Sequence, residues 1–324
     1  MSSGFFNARR LPLFITVALF ALLYGFGSIL YEGFFSPQVF LNLLIDNGFI
    51  LVVAIGMTFV IFTGNVDLSV GSVVALTTMI SATLAQSHGW SFWAILPLVL
   101  AVGTLFGLFQ GVLIQVFKLQ SFIVTLGGMF LARGLCYVIS VDSISITEPT
   151  FVALSEYRVP VGPEVSLSLS SIIALVVLVV AIFLAHYTRF GRTVYAIGGN
   201  ERSAMLMGLP VNSTKIMVFG LSGFCSALGG VLISLYMLSG YGLHALGMEM
   251  DAIAAAVIGG ALLTGGVGYV AGTLLGVMML GVIQSLIVFD GTLSSWWTRI
   301  AIGVLVFIFC LLQRVLDRSS ASKK

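Results

Sequence analysis

Ten apolar runs occupy most of this chain, and they leave it little choice of solvent. They lie at residues 11–31, 48–63, 68–86, 93–115, 121–140, 170–187, 215–238, 251–264, 267–289 and 297–313. Only 8% of the 324 residues are charged, against ~25% in an ordinary soluble domain. So few charges cannot clothe a water-facing surface, and the mean hydropathy of +1.14 agrees. Lipid must surround most of the chain. Runs near 20 apolar residues specify helices, because barrel strands alternate apolar and polar over about 10. The expected fold is all-α and polytopic. One transmembrane domain covers residues 1–324, with about ten transmembrane helices.

Charge placement orients the spans. The run at 11–31 follows Arg9 and Arg10 and has 21 residues, longer than the roughly 7–15 of a signal-peptide core, so it reads as an uncleaved span. With the N-terminus inside, the inner segments hold Arg9, Arg10, Lys118, Arg189, Arg192, Arg202, Lys215, Arg314, Arg318, Lys323 and Lys324, 11 of the 14 Lys and Arg. The outer side holds Arg158 and Arg299, and Arg133 lies within a span. By the positive-inside rule both termini are cytoplasmic and the number of crossings is even. The longest outer loop, 141–169, carries Asp142, Glu148, Glu156 and Glu164 against Arg158, and the longest inner loop, 188–214, carries three arginines.

Two places are too short for ordinary spans. Residues 48–86 and 251–289 each cross twice in 39 residues. That is about 58 Å of helix, twice the ~30 Å hydrocarbon thickness, with nothing left for a wet loop. Each is expected to be a broken helix pair whose turn sits in or near the membrane. The turns resemble each other: Thr63-Gly64, Val66 and Gly71 match Thr264-Gly265, Val267 and Gly272 at one offset of 201. Transporters place substrate sites where repeated, discontinuous helices meet, although a glycine-rich chain also produces such matches by chance.

The inner loop contains Gly198-Gly199-Asn200-Glu201-Arg202-Ser203-Ala204-Met205-Leu206-Met207-Gly208. Asn200 suits an N-cap, Glu201 suits the positive helix start and Gly208 suits the position after the last turn. A helix of about two turns is expected here, with Ala204, Met205, Leu206 and Met207 as an apolar knob. The residues alone leave two readings open, a docking helix or a helix resting on lipid headgroups.

Several stretches resemble the ribose-type ABC sugar permease family. They are Gly56–Ile61 followed by Val66-Asp67-Leu68-Ser69-Val70-Gly71-Ser72, then Phe122–Gly127, then Met250–Gly260 running on through Gly265-Gly266-Val267-Gly268. The resemblance covers nearly the whole chain. Within the family, Phe289–Leu293 followed by Ser294-Ser295-Trp296-Trp297-Thr298 is most similar to a permease subunit of the galactofuranose importer. The resemblance implies that Asn200, Glu201, Arg202, Ala204, Met205, Leu206 and Gly208 form a coupling helix inserted into an ATPase subunit. It also implies a second, different permease, a periplasmic sugar-binding protein and a sugar substrate, in a bacterial inner membrane. ATP and Mg would be bound by the partner chain and no cofactor by this one. Many members have two glycines before Asp-Leu-Ser, whereas this chain has Gly64-Asn65, which would alter the turn or the lining of the path.

Asn65, Asp67, Ser69, Arg133 and Asp251 are the candidates for the translocation path. Each has a plainer alternative. Asp67 and Asp251 sit where helix caps belong, with the helix after Asp67 starting at Leu68, and capping is the stronger reading. Arg133 is costly in a span unless it meets a partner or a wet cavity, and an ion pair or backbone carbonyls would serve. Trp296 and Trp297 suit an interfacial belt better than a sugar-stacking role. His88, His186 and His244 have no zinc spacing, and Cys136, Cys225 and Cys310 read as small buried hydrophobes.

A P-loop needs Gly before Lys, but the four lysines follow Phe117, Thr214, Ser322 and Lys323. The chain is therefore expected to be non-catalytic, and a net charge of +2 gives no basis for a nucleic-acid partner. One rival reading is an ion-coupled secondary sugar transporter, which needs carboxylates within its spans. Asp67 and Asp251 lie at helix breaks or ends, and no other acid is expected near mid-membrane. A second rival, an intramembrane serine protease built on Gly220-Leu221-Ser222-Gly223, lacks a histidine placed to act as base. Those glycines suit close helix packing instead.

Overall fold

The computed structural model describes residues 11–162, 165–294 and 296–321, with side chains described from residue 14 to 311. The pair Arg9-Arg10, Glu164, Ser295 and the lysines at 323 and 324 lie outside the described residues, and the side chains of Arg314 and Arg318 are not described. Thirteen helices run through the described residues. The chain enters through α1 (Leu11–Leu30), α2 (Pro37–Phe62), α3 (Val70–His88), α4 (Phe92–Val116) and α5 (Ser121–Ile139). The next loop folds into β1 (Ile144–Ser145), α6 (Pro149–Glu156) and the hairpin β2 (Arg158–Gly162) with β3 (Val165–Ser168). Then come α7 (Leu169–Tyr187), α8 (Arg189–Gly199), α9 (Glu201–Leu206), α10 (Val211–Met237) and β4 (Ser239–Gly240), which pairs antiparallel with β1. The chain ends with α11 (Met248–Ile258), α12 (Val270–Asp290) and α13 (Trp296–Ala321).

Seven of these, α2, α3, α4, α5, α7, α10 and α12, are long and apolar enough to cross a membrane. Shorter apolar helices cover Phe14–Leu30 and Trp296–Leu311. The expected eighth span, 251–264, is corrected. Its helix is α11, with 11 residues, about 17 Å long and half the hydrocarbon thickness. Gly259 and Gly260 end it, Gly260 at φ +92°, although the apolar sequence continues through Leu263.

The expected start of α2 is corrected too, from 48 to Pro37. Ser36 caps the helix, its hydroxyl accepting from Val39 N at 3.1 Å, and Pro37 fits the first turn. Polar residues there obscure the span in sequence but have partners. Gln38 donates to Asn42 at 2.7 Å, Asn47 to the Leu43 carbonyl at 3.0 Å, and Tyr236 to Asp46 at 3.1 Å. From Ile50 to Phe62 every residue of α2 is buried, as expected of a helix apolar on all sides that forms the centre of a bundle.

Glycine sets the closest packing, between α4 and α10. A Cβ on Gly107 would overlap the Phe219 carbonyl, and one on Gly103 would lie 2.5 Å from the Ala227 Cβ. Gly223 faces Gly103 and Gly107 with equally little room. In lipid, where apolar side chains gain nothing by leaving solvent, such backbone approach supplies the association.

The loop at 141–169 carries local structure although few of its described residues are buried. Phe151 is buried edge-on against Phe92 at 4.9 Å. In the loop at 188–214 the sequence signalled α9 but not α8, which buries Gly191, Thr193, Val194 and Ile197 and exposes Arg192.

Candidate functional site

The two helix breaks meet. The first, 63–69, joins α2 to α3, and the second, 259–269, joins α11 to α12. Gly64 and Gly265, partners at the offset of 201, both adopt left-handed backbone, at φ +74° and +86°, where side chains are strained and glycine is not. They also touch. A Cβ on Gly265 would lie 2.7 Å from Gly64 N and 3.0 Å from Gly198 Cα. Gly266 N donates to the Phe62 carbonyl at 2.9 Å, tying one break to the other.

The α8–α9 junction is seated on both. A Cβ on Gly198 would overlap the Phe62 carbonyl and Gly266 N together, and one on Gly266 would lie 2.6 Å from Gly199 N. Tyr195 of α8 packs on Phe62 with the rings tilted and their centroids 4.7 Å apart, and its hydroxyl donates to the Gly268 carbonyl at 3.0 Å. The root of α9 thus rests by backbone on the ends of two broken helix pairs, with no side chain between.

α9 itself is capped at both ends. Asn200 Oδ1 accepts from Ser203 N at 2.8 Å. At the other end Leu209 N donates to the Ala204 carbonyl at 3.1 Å and Gly208 N to the Met205 carbonyl at 3.0 Å, with Gly208 at φ +77°. These two bonds are a Schellman closure. The helix is six residues long between its caps, close to the two turns expected. The expected knob is corrected. Ala204 is fully buried against Ile197 and Val211 as the anchor, whereas Met205, Leu206 and Met207 are 52%, 89% and 68% exposed. Arg202 is exposed. Glu201 is bound from both carboxylate oxygens by Lys215 of α10, at 3.1 Å each.

Asp67 and Ser69 are buried in a network rather than lining an open path. Asp67 Oδ1 accepts from Ser69 N at 2.9 Å and Ser69 Oγ at 2.7 Å, and Oδ2 accepts from Ser222 Oγ of α10 at 2.7 Å. Gln110 of α4 donates to Ser69 Oγ at 3.0 Å. The helix starts at Val70 rather than Leu68, so Asp67 holds the residue before it and pins the break to two other helices. Ser222 donates to the Asp67 carboxylate rather than to a histidine, and that carboxylate is already held by Ser69. Asn65 donates to Thr63 Oγ1 at 2.9 Å and stays inside its own turn.

Arg133 and Asp251 lie elsewhere. Arg133 donates to the carbonyls of Gly242 and His244, at 2.5 and 2.9 Å, so the segment before α11 dips into the bundle beside α5. Asp251 is not a cap, since that position is Gly247. It lies in the first turn of α11 and pairs with Arg299 of α13 at 3.2 Å. The structure therefore separates Arg133 and Asp251 from Asn65, Asp67 and Ser69.

Sequence reasoning missed Glu249. It is 9% exposed and lies against the first turn of α3. A Cβ on Gly71 would lie 2.5 Å from its Oε2, which has no hydrogen-bond partner among the described atoms. This corrects the expectation that Asp67 and Asp251 are the acids nearest the bundle interior. The positive end of α3 favours a carboxylate there. Only the position of α11, half a helix starting inside the bundle, makes this residue internal. Among the described residues no cluster of His, Cys, Asp and Glu could hold a metal ion.

An apolar bundle with paired helix breaks beneath a capped, exposed helix defines a membrane permease. The chain belongs to the family described as "Branched-chain amino acid transport system / permease component", which matches residues 39–310, and within it to the ribose-type ABC sugar permeases. It is 50% identical to the inner membrane ABC transporter permease protein YjfF of Escherichia coli K12, over 95% of this chain and 93% of that protein. It is 37% identical to the fructose import permease protein FruG of Bifidobacterium longum, over 98% and 95%. It is 36% identical to the ribose import permease protein RbsC of Haemophilus influenzae, over 89% of both. No solved structure matches the chain. The protein is a multi-pass inner-membrane protein.

Proposed function

We propose that this chain forms half of the translocation path of a sugar importer and is driven by a separate ATPase that docks on α9. One observation carries the reading: the root of α9 is seated by backbone contact on both helix breaks, at Gly198, Gly265 and Gly266. A push on the exposed tip, Met205, Leu206 and Met207, has no flexible side chain to absorb it before it reaches the breaks. Because interfaces packed this closely shift between discrete arrangements rather than deform, rocking of α2–α3 against α11–α12 is the expected response. ATP and Mg belong to the partner chain.

Charge asymmetry supports placing the α9 end and both termini in the cytoplasm. The same asymmetry supports ten membrane segments, with α11 as a half-span. The sugar reading rests on the relatives named for fructose and ribose import, and galactofuranose on residues 289–298. A second, different permease and a periplasmic binding protein complete the assembly. Affinity resides in the binding protein, since a tight site in the path would trap the sugar.

Glu249 favours one alternative, an ion-coupled carrier, because a buried carboxylate is what such a carrier needs. Purification of the tagged chain from native membranes in mild detergent, with mass spectrometry of what accompanies it, separates the two. Recovery of an ATPase and a second permease is expected, together with ATP-dependent uptake of galactofuranose in preference to ribose or leucine. Recovery of this chain alone, with uptake abolished by a protonophore and insensitive to ATP, would sink the importer reading.

A further inference from the structure

A pocket of about 460 Å³ opens at the root of α9, lined by Asn65, Gln115, Lys118, Gln120, Glu201 and Lys215 among others. Its size falls inside the roughly 300–1,000 Å³ of small-molecule sites. Four elements converge on it: the first helix break through Asn65, the end of α4 with the α4–α5 connection, α9 through Glu201 and α10 through Lys215. The exposed tip of α9 takes no part in the lining, so a ligand here would read the root of the helix and leave its apolar end free.

The lining chemistry defines the ligand. Gln120 offers an amide donor and acceptor, while Asn65 and Gln115 offer their amide oxygens, their nitrogens being engaged by Thr63 and Asn212. The set suits several hydroxyls, and Phe122 supplies an apolar wall. Glu201 and Lys215 neutralise each other at 3.1 Å. Lys118 has no ion-pair partner among the described residues and is exposed. The wall therefore carries one surplus positive charge beside a set of hydroxyl-binding amides. A neutral sugar uses the amides alone, inorganic phosphate uses the lysine alone, and a sugar carrying a phosphate uses both.

We propose that this pocket binds a monosaccharide phosphate from the cytoplasm and that the bound ligand brakes import by clamping α9 to the first helix break. The inference rests on the importer reading and adds to it a regulatory site. The pocket bridges α9 to the element that α9 must move, so occupancy holds the two in one arrangement. An effector acts only through such a differential preference between states.

The test uses the intact complex in proteoliposomes with the ATPase face outward, and with the binding protein and galactofuranose in the lumen. ATP hydrolysis is read while galactose 6-phosphate, galactose or inorganic phosphate is added outside. Galactose 6-phosphate should lower the rate about fivefold, the low end of coupling between distinct sites, and the other two should not. Lys118→Ala and Gln120→Ala should each restore the rate without changing it in the absence of ligand. Gln120 makes no side-chain cap bond to α5, so its loss leaves that helix intact. Equal inhibition by inorganic phosphate or galactose, no inhibition at all, or undiminished inhibition of both variants would overturn the proposal. A complex that hydrolyses ATP at the same rate with and without lumenal sugar would overturn the importer reading, and this inference with it.

Discussion

The two helix breaks share a left-handed glycine, Gly64 and Gly265, but differ in what holds them. At 63–69 the left-handed Gly64 is followed by Asp67 and Ser69, which tie the break by side chains to Gln110 of α4 and Ser222 of α10. At 259–269 no carboxylate is present. Gly265 and Gly266 hold the break by backbone against Phe62, Gly64, Gly198 and Gly199, and Gly268 lies against the Phe62 ring and accepts from the Tyr195 hydroxyl. The first break leads from a helix of 26 residues and the second from one of 11. The difference assigns them roles. A side-chain network into two long helices makes a fixed point, and a glycine surface under α9 makes a contact that can slide.

The sharpest way to break this comparison is to put a methyl group into the glycine contact. Gly198→Ala places a Cβ on the Phe62 carbonyl and Gly266 N at once. Neither is the end of a flexible side chain, so the backbone must part. The expected cost is about 3 kcal/mol or more, with loss of most of the folded protein. Fluorescence-detected gel filtration of the detergent extract measures it. Gly199→Ala is the control, since a Cβ there meets nothing within 4 Å, and it should elute as wild type.

The fixed point should respond by chemistry rather than by volume. Asp67→Ala leaves the Ser222 hydroxyl and the Ser69 donors buried without their acceptor, at a cost of about 2 kcal/mol. Asp67→Asn keeps an acceptor and should cost about 1 kcal/mol. Thermal unfolding in detergent should rank wild type above Asn and Asn above Ala. Equal effects of the two would mean that the network adds nothing beyond shape.

Much of this was legible in the chain, and what was not has identifiable causes. Apolar length marks helices wherever the run is unbroken, and the caps of α9 are local chemistry, so Asn200 and Gly208 could be read directly. The glycine match at 64 and 265 was visible because φ above zero is a demand on one residue. Hydropathy failed at α2, where Asn42, Asp46 and Asn47 look like loop but find partners one turn away or on α10. It failed again at α11, because Ala261, Leu262 and Leu263 continue an apolar run after Gly259 and Gly260 have ended the helix. Glu249, Arg299 as the partner of Asp251, and the burial of Ala204 depend on which elements meet, and no local pattern carries that.

The pair between Glu201 and Lys215 joins the two regimes, since it ties the root of α9 to α10. The Lys215 side chain is 10% exposed and that of Glu201 42%. Losing Glu201 strands a nearly buried ammonium, and the partial exposure keeps the cost near 1 kcal/mol, below the roughly 3–5 of a fully buried pair. Glu201→Gln should therefore lower the unfolding temperature slightly, and Glu201→Gln with Lys215→Met should recover part of the loss. A double variant worse than either single change would show that the pair is not the interaction that holds α9.

The smallest effect on stability should accompany the largest effect on assembly. Met205 and Leu206 touch little of this chain, being 52% and 89% exposed. Met205→Ala with Leu206→Ala should shift unfolding by less than about 0.5 kcal/mol. Yet an apolar tip that protrudes from a capped helix gains its energy only by burial in another surface, at about 25 cal/mol per Å². If the tip docks on an ATPase as proposed, removing these two side chains should cost most of the copurifying ATPase while the permease elutes unchanged. A single change at Glu201 cannot make this separation, because it also disturbs Lys215. If the double alanine variant keeps its ATPase and its uptake, α9 is held by the headgroups rather than by a partner, and the sliding contact beneath it must be driven from elsewhere.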